Sequence, residues 1–519
     1  MASGSAAQPP CFRVERLTLE GEAAAQFLWA LEAAHRTGDG RPDPAVPRCL
    51  GQEAIADITQ RVQGALIARG FVTTRVLVPA QDLRTGTLRL VVLPGRLGAV
   101  RLQRDALGRG TSWNAVTLQP GQALNLRDIE QALENFQRVP TVDATIEIVP
   151  SQSSPERPEV RPGDSDLLVR WSQRLPFRLG LSADDSGTRA TGRYQGSVTL
   201  SYDNALNLND LFYVTLTGSV RGGGEPGVTG MGGHGTRARS AHYSLPWGRW
   251  LFAVQASQQD YYQQVAGANQ DYVYRGETSQ YDLRVSRLVR RDADGKSHLS
   301  LRGWSRRSRN YIDDTEVEVQ RRRTAGWELG VQHQQTVGAA AIGLAMNYRR
   351  GTGAFQAMAA PEDAFGEGAS RPRIVGAELS LTLPLGQGPS RLRYAATASA
   401  QWTRQALVSQ DRFSIGGRHT VRGFDGESTL SAERGGWLRQ ELQWVPGGGQ
   451  TLYVGVDHGE VGGPSSGVLA GTRLTGAVVG LRGDLRNASW DVFAGRPVRK
   501  PETFHTARRT AGFSVHVSF

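Results

Sequence analysis

The 519-residue chain reads as two small α+β units followed by an antiparallel β-barrel of about sixteen strands that crosses a membrane. Three observations predict this. Over residues 11–174 apolar residues recur at helical spacing between short strand-like runs, whereas over 175–519 only alternation remains. The links between the alternating runs are by turns short and long, as the two ends of a membrane barrel require. The chain stops on Phe513-Ser514-Val515-His516-Val517-Ser518-Phe519, apolar and polar in alternation up to an aromatic carboxylate.

Composition narrows the class. Hydrophobic residues make up 39% of the chain, and no apolar run reaches the roughly 18 residues of a spanning helix, which leaves barrels open because their strands look soluble by hydropathy. The net charge is +11, with Lys296 and Lys500 as the only lysines. The arginines are dispersed rather than gathered on one face with aromatics between them, which argues against a nucleic-acid partner and suits a polar lumen or lipid headgroups. Cys11 and Cys49 are the only cysteines. Without metal-ligand companions they read as one disulfide in an oxidising compartment, the alternative being two free buried thiols. Residues 1–10 are small and polar, without the apolar stretch of a secretory signal, and are expected to be a disordered remnant of a trimmed chain.

The first unit, 11–98, opens with Phe12, Val14, Leu17 and Leu19 in a strand-like run. A helix is expected over 22–36, and a Pro-rich turn over 41–47 leads to Cys49. Ile55, Ile58, Val62 and Leu66 mark one face of a second helix over 52–69, stopped by Gly70. Strands over 73–79 and 87–93 complete a β-α-α-β-β order. The second unit, 99–174, repeats the architecture without repeating the sequence: a strand at 100–103, a helix at 126–138 with Ile129, Leu133 and Phe136 on one face, and strands at 144–149 and 166–171. A Pro/Ser-rich excursion, 150–163, separates the last two.

In the barrel, Leu392, Tyr394, Ala396, Ala398, Ala400 and Trp402 take one face while Arg393, Thr397, Ser399 and Gln401 take the other. Ile342, Leu344, Met346 and Tyr348 alternate likewise with Gly343, Ala345, Asn347 and Arg349. One face suits lipid and the other water. Short links fall at 203–210, 245–249, 290–296, 335–338, 385–390, 446–450 and 484–489; long ones fall at 222–237, 306–320, 351–371 and 408–435. In the closing strand Phe513, Val515, Val517 and Phe519 form the apolar row, expected to serve as a barrel-assembly signal.

One long link carries Thr420-Val421-Arg422-Gly423-Phe424-Asp425-Gly426-Glu427, a cation among glycines in an otherwise polar segment. Further motifs are Asp184-Asp185-Ser186-Gly187 with Thr191-Gly192 and Gln195, then Asp203-Asn204-Ala205-Leu206-Asn207-Leu208-Asn209-Asp210, Gly416-Gly417-Arg418, and Asp457-His458-Gly459. On these the chain resembles, over 11–519, the outer-membrane transporters of two-partner secretion, the haemolysin-activator and contact-dependent-inhibition exporters of the Omp85-like superfamily. The resemblance implies that the small units are POTRA (polypeptide-transport-associated) domains in the periplasm. It implies that loop six, 408–435, folds back into the lumen, where its Arg422 pairs with a wall aspartate.

The residues supply that aspartate independently. In the strand around 452–459, Leu452, Val454 and Val456 face lipid, which turns Asp457 inward. Gly455 and Gly459 leave room on the wall, and Gly423 lets the loop backbone approach. Val421, Arg422, Gly423, Phe424, Asp457 and Gly459 are therefore the expected lumen latch, the contact being worth on the order of 1 kcal/mol in a wet lumen. Two sheet edges are candidates for accepting an unfolded substrate by strand addition: Thr74, Arg75, Val76, Leu77 and Val78, and Ala144, Thr145, Ile146, Glu147, Ile148 and Val149.

By resemblance the substrate is a large exoprotein, an adhesin, haemolysin or contact-dependent toxin, exported unfolded without nucleotide. Other expected partners are outer-membrane lipid and, during biogenesis, the barrel-assembly machinery; the chain is expected to be a monomer. No cofactor and no metal is expected, the nine histidines having no ligand spacing. Family members usually carry an N-terminal plug helix; with only ten residues before Cys11, either the plug was deleted or this member never had one, and both predict a leakier resting pore. Two alternatives stand beside this reading. One is an insertion factor of the same superfamily. The other is a hydrolase using Gly463-Pro464-Ser465-Ser466-Gly467, a nucleophile-elbow spacing that lacks its strand-to-helix turn.

Overall fold

A computed structural model describes residues 11–104, 109–153, 160–220, 233–386 and 391–519. The expected remnant at 1–10 lies outside them, as do parts of the 150–163 excursion and of the 222–237 and 385–390 links. The chain parts at Arg174 and Leu175 into two compact units.

The first unit begins with β1 (Phe12–Val14), β2 (Arg16–Glu20), α1 (Ala24–Phe27), β3 (Arg48–Leu50), α2 (Gln52–Ala68), β4 (Arg75–Leu77) and β5 (Thr87–Leu93). The sheet order is β2-β5-β4, with β1 and β3 pairing separately. Apolar side chains of α2 (Ile58, Val62, Leu66) meet Leu88 and Leu90 of β5 in a fully buried core. The helix expected over 22–36 is only one α-turn, continued as a 3-10 helix over Leu28–His35. No side chain caps its start, where Ala23 is left-handed with φ 62°, so its first N–H groups have no side-chain acceptor holding them in α geometry. From α2, Arg61 reaches Asp43 at 2.7 Å and Asp57 at 2.5 Å. Its guanidinium holds the Asp43 carboxyl below the ordinary carboxylate range and fixes the Pro-rich turn.

Cys11 and Cys49 are joined, tying the flank of β1 to β3 across a sequence separation of 38. Loop-closure entropy makes a link of that span worth about 2–4 kcal/mol. Replacing both by Ser is therefore expected to lower the stability of residues 11–95 by that amount, read as faster amide hydrogen exchange in β5 and α2 of the full chain.

The second half adds β6 (Arg96–Arg104), α3 (Leu126–Gln137), β7 (Val142–Pro150) and β8 (Asp164–Gln173), in sheet order β6-β8-β7 over a core of Leu97, Ile129, Phe136, Leu167, Val169 and Trp171. Among the described residues α3 is its only helix; 109–124 is irregular. Asn125 joins the halves. Its side chain accepts from the Arg127 N–H at 2.8 Å, capping α3, and donates to the Arg69 carbonyl at 3.0 Å, at the end of α2.

The second unit is a barrel. Its wall strands are β9 (Phe177–Asp184), β10 (Gln195–Asp203), β11 (Leu211–Ser219), β12 (His234–Trp247), β13 (Trp250–Ala266), β14 (Asp271–Arg291) and β15 (Gly295–Ile312). After a two-residue β16 (Thr315–Glu316) come β17 (Arg322–Val337), β18 (Ala340–Thr352), β19 (Arg373–Leu385) and β20 (Arg391–Trp402). A small hairpin, β21 (Phe413–Ile415) and β22 (Leu430–Ala432), lies inside the next loop. The wall resumes with β23 (Arg434–Gly447), β24 (Gln450–Gly462), β25 (Arg473–Leu485), β26 (Ala488–Arg499) and β27 (Thr510–Ser518).

Sixteen antiparallel strands close when β27 pairs with β9. The tight turns use left-handed residues, Gly248 at φ 55°, Gly338 at φ 58° and Arg486 at φ 51°, which match the twist of the strands they join. The long link expected over 306–320 is mostly strand, because β15 runs to Ile312. At 21 residues, β14 far exceeds the roughly 9–11 that cross a bilayer, and beyond the membrane both faces are wet, so polar residues there conceal a strand.

Candidate functional site

The loop between β20 and β23 is packed, not solvated. Ile415, Val421, Phe424 and Leu430 form a buried cluster with Val461 of β24, Leu474 of β25 and Phe504 of the last long loop. That cluster fixes the backbone on either side of Arg422. Phe424 meets Phe504 edge-on at 5.9 Å, and the next residue, Asp425, accepts from the Ala507 N–H at 2.8 Å and from the Thr506 hydroxyl at 3.0 Å.

Arg422 is 4% exposed and Asp457 is fully buried. The guanidinium donates from Nε to Oδ2 at 2.7 Å and from Nη2 to Oδ1 at 2.8 Å, and the Arg422 N–H adds a third bond to Oδ2 at 2.9 Å. Its remaining Nη1 donates to Glu441 of β23, which is held also by Arg482 of β25. Arg439 lies 3.8 Å from Asp457, and the Arg422 and Arg482 guanidinium groups lie 5.8 and 4.3 Å from the Tyr453 ring centre. Three arginines and two carboxylates thus alternate in one patch, buried at Arg422 and Asp457 and opening toward solvent at Arg439 and Arg482.

The expected value of about 1 kcal/mol assumed water around the pair. Burial changes that: removing one member strands a desolvated charge, at about 3–5 kcal/mol.

Alternation along β24 places Asp457 as expected, with Val454 and Val456 half exposed on the outer face. Glycine makes the approach possible. Gly423 is left-handed at φ 95°, and a Cβ there would fall 2.5 Å from the Arg496 carbonyl. On the wall, a Cβ at Gly459 would sit 2.8 Å from Val421, and one at Gly476 1.8 Å from the Arg422 carbonyl. Glu441 and Gly476 complete the site and were beyond sequence reasoning. Gly476 faces Asp457 across β24–β25 and Glu441 faces Gly455 across β23–β24, pairings that only the ladder register supplies.

The two candidate sheet edges differ. In β4, three residues long, the outward Thr74 carbonyl accepts from Gln63 Nε2 and the outward Val76 N–H donates to Gln63 Oε1, both at 2.9 Å. The Gln63 amide therefore occupies the place of an added strand. Gln81 does the same beyond the end of β4, bonding both the N–H and the carbonyl of Arg89. In β7, nine residues long, the Arg174 N–H donates to Thr141 and the Ser151 N–H to Asp164, so odd-numbered residues face β8 and even-numbered ones face out. Gln137 takes only the Ala144 carbonyl. The N–H and carbonyl groups of Ile146 and Ile148 point away from β8, and among the described residues nothing hydrogen-bonds them.

At the chain end, Phe513, Val515 and Val517 lie in β27, and Phe519 exchanges backbone hydrogen bonds with Leu179. Ser465 sits on a short 3-10 turn, where its hydroxyl donates to Glu433 at 3.0 Å. His458 bonds the Thr475 hydroxyl at 2.9 Å.

The model of the haemolysin secretion/activation proteins ShlB/FhaC/HecB matches residues 163–483, and two POTRA models match 35–95 and 96–150. The chain belongs to this family. It is 34% identical to the outer membrane transporter CdiB-2 of Burkholderia pseudomallei (strain 1026b), over 99% of this chain and 87% of that protein. Two solved structures resemble it throughout. CdiB from Escherichia coli has TM-score 0.85 and 26% identity, covering 100% of this chain and 92% of that one. CdiB from Acinetobacter baumannii has TM-score 0.81 and 26% identity, covering 99% and 91%. As a member of the ShlB/FhaC/HecB family the chain is an outer-membrane protein transporter of the two-partner secretion type.

Proposed function

We propose that residues 11–174 lie in the periplasm and receive a large exoprotein in unfolded form, which then passes through the barrel without nucleotide once the loop bearing Arg422 leaves its wall site. The buried Arg422–Asp457 pair carries this reading: a pore whose own loop docks inside it needs a contact that holds well at rest and releases as a unit. A bidentate Arg422–Asp457 pair, backed by Glu441 in a glycine-lined cradle, meets both demands. Folding of the exported chain outside biases the motion outward. The open edge of β7 favours 144–149 as the receiving strand, while the Gln63 amide argues against 74–78.

The reading is tested by expressing the chain, behind a secretion signal, with a large exoprotein encoded beside its gene. Export to the medium or cell surface only when the chain is present is the expected result. Exoprotein retained in the periplasm, with assembly of other barrel proteins altered instead, sinks it in favour of an insertion factor.

A further inference from the structure

Arg418, four residues before Arg422, docks on a different part of the wall. The junction of β27 with β9 that closes the barrel pairs five residues within the two strands, extended by the Phe519–Leu179 exchange, against eight in the flanking β9–β10 and β26–β27 ladders. It is the weakest place in the circle, because each pair supplies the ladder bonds. Just past its end the pairing is half backbone and half side chain: the Asp185 N–H donates to the Phe513 carbonyl at 3.4 Å, while the Phe513 N–H donates to Asp185 Oδ1 at 2.9 Å. Arg418 donates to that same Oδ1 at 2.8 Å and to the Phe513 carbonyl at 3.2 Å, and its guanidinium lies 5.3 Å from the Phe493 ring centre. Arg193 braces the other oxygen, Oδ2, at 3.2 Å.

From this the geometry points to Arg418 as a staple that fastens the closing seam from inside, so that undocking the loop also loosens the first and last strands. Asp185 is 6% exposed and Arg418 18%, so the contact is shielded enough to outweigh a surface ion pair. Arg418 is a positioning residue: it touches no substrate, and it links the loop's position to the strength of a seam that the loop does not otherwise contact through Arg422. The inference deepens the latch reading and rests on it only for the consequence during transport.

Amide hydrogen exchange of the full chain in lipid nanodiscs tests the staple without any exoprotein. Arg418→Ala is expected to speed exchange of residues 511–515 about tenfold while the β24–β25 ladder is unchanged. Asp457→Ala, which frees the loop, is expected to speed the same residues. Arg418→Lys, which keeps a cation within reach of Asp185, is expected to retain much of the protection, which a merely structural loss of packing would not allow. Unchanged seam exchange in Arg418→Ala overturns the proposal, as does Arg418→Lys no better protected than Arg418→Ala. Should Arg418→Ala not assemble, Arg418→Gln is measured in its place, with the same two outcomes. Export assays on Asp457→Ala address the latch separately, so a loosened seam with normal export keeps the staple and rejects the latch.

Discussion

Arg422→Ala and Asp457→Ala are each expected to leave the barrel assembled and to cut export by two orders of magnitude or more, because a loop that cannot return to its wall site is left unpositioned in the path of the exported chain. Assembly survives because sixteen ladders, none made by either side chain, close the wall. The docked loop does not survive. Either substitution loses the paired bonds at 2.7 and 2.8 Å and leaves the other charge buried, a cost of about 3–5 kcal/mol. At 1.4 kcal/mol per tenfold, that shifts the docked-to-free ratio by roughly a hundredfold to a few thousandfold. Each variant keeps one partial substitute: Asp457→Ala leaves Arg422 on Glu441, and Arg422→Ala leaves Asp457 beside Arg439 and Glu441 bound to Arg482, so the two are expected to be of similar severity. Heat-modifiable mobility on gels reports assembly, and exoprotein in the medium reports export. Normal export by both variants ends the latch interpretation.

The second large effect is expected in β7. Ile146→Pro removes an N–H that points away from β8, so the internal ladder keeps its bonds while the outer edge loses a donor and gains a ring. Losing one backbone bond and disturbing its neighbours costs an incoming strand about 1–2 kcal/mol, hence roughly tenfold in binding and export at limiting substrate. Thr145→Pro serves as the contrast, because its N–H faces β8 and its loss disrupts the fold of the unit itself. Gln63→Ala uncovers the edge of β4 and is expected not to lower export. Equal export by wild type and Ile146→Pro removes β7 from the receiving surface, and a sharp loss in Gln63→Ala moves attention to the first POTRA unit.

The barrel and its loops were legible because alternation is a local property. Each residue of the β24 stretch 452–457 declares its face by its neighbour two positions away, which turned Asp457 inward before any partner was known. The two helices α2 and α3 were legible for the same reason at a different period. Strand length above the membrane was not, since water on both faces removes the contrast that alternation needs, and so the end of β15, 306–312, passed for a loop. Nor was the short first helix, whose winding depends on a cap that its sequence lacks.

What the sequence alone determined is the set of local choices: two POTRA-like units, a barrel of about sixteen strands, a cation in the loop after the eleventh strand and an inward aspartate two strands on. What only the tertiary structure decided is everything that joins distant residues. Register set Gly476 against Asp457 and Glu441 within reach of Arg422. Backbone direction left β7 open while the Gln63 side chain closed β4. Burial turned a contact expected to be weak in water into a sealed pair, and brought Arg418 onto Asp185, 233 residues away. Period and propensity are written in neighbouring residues, whereas dielectric and pairing belong to the surroundings that folding assembles.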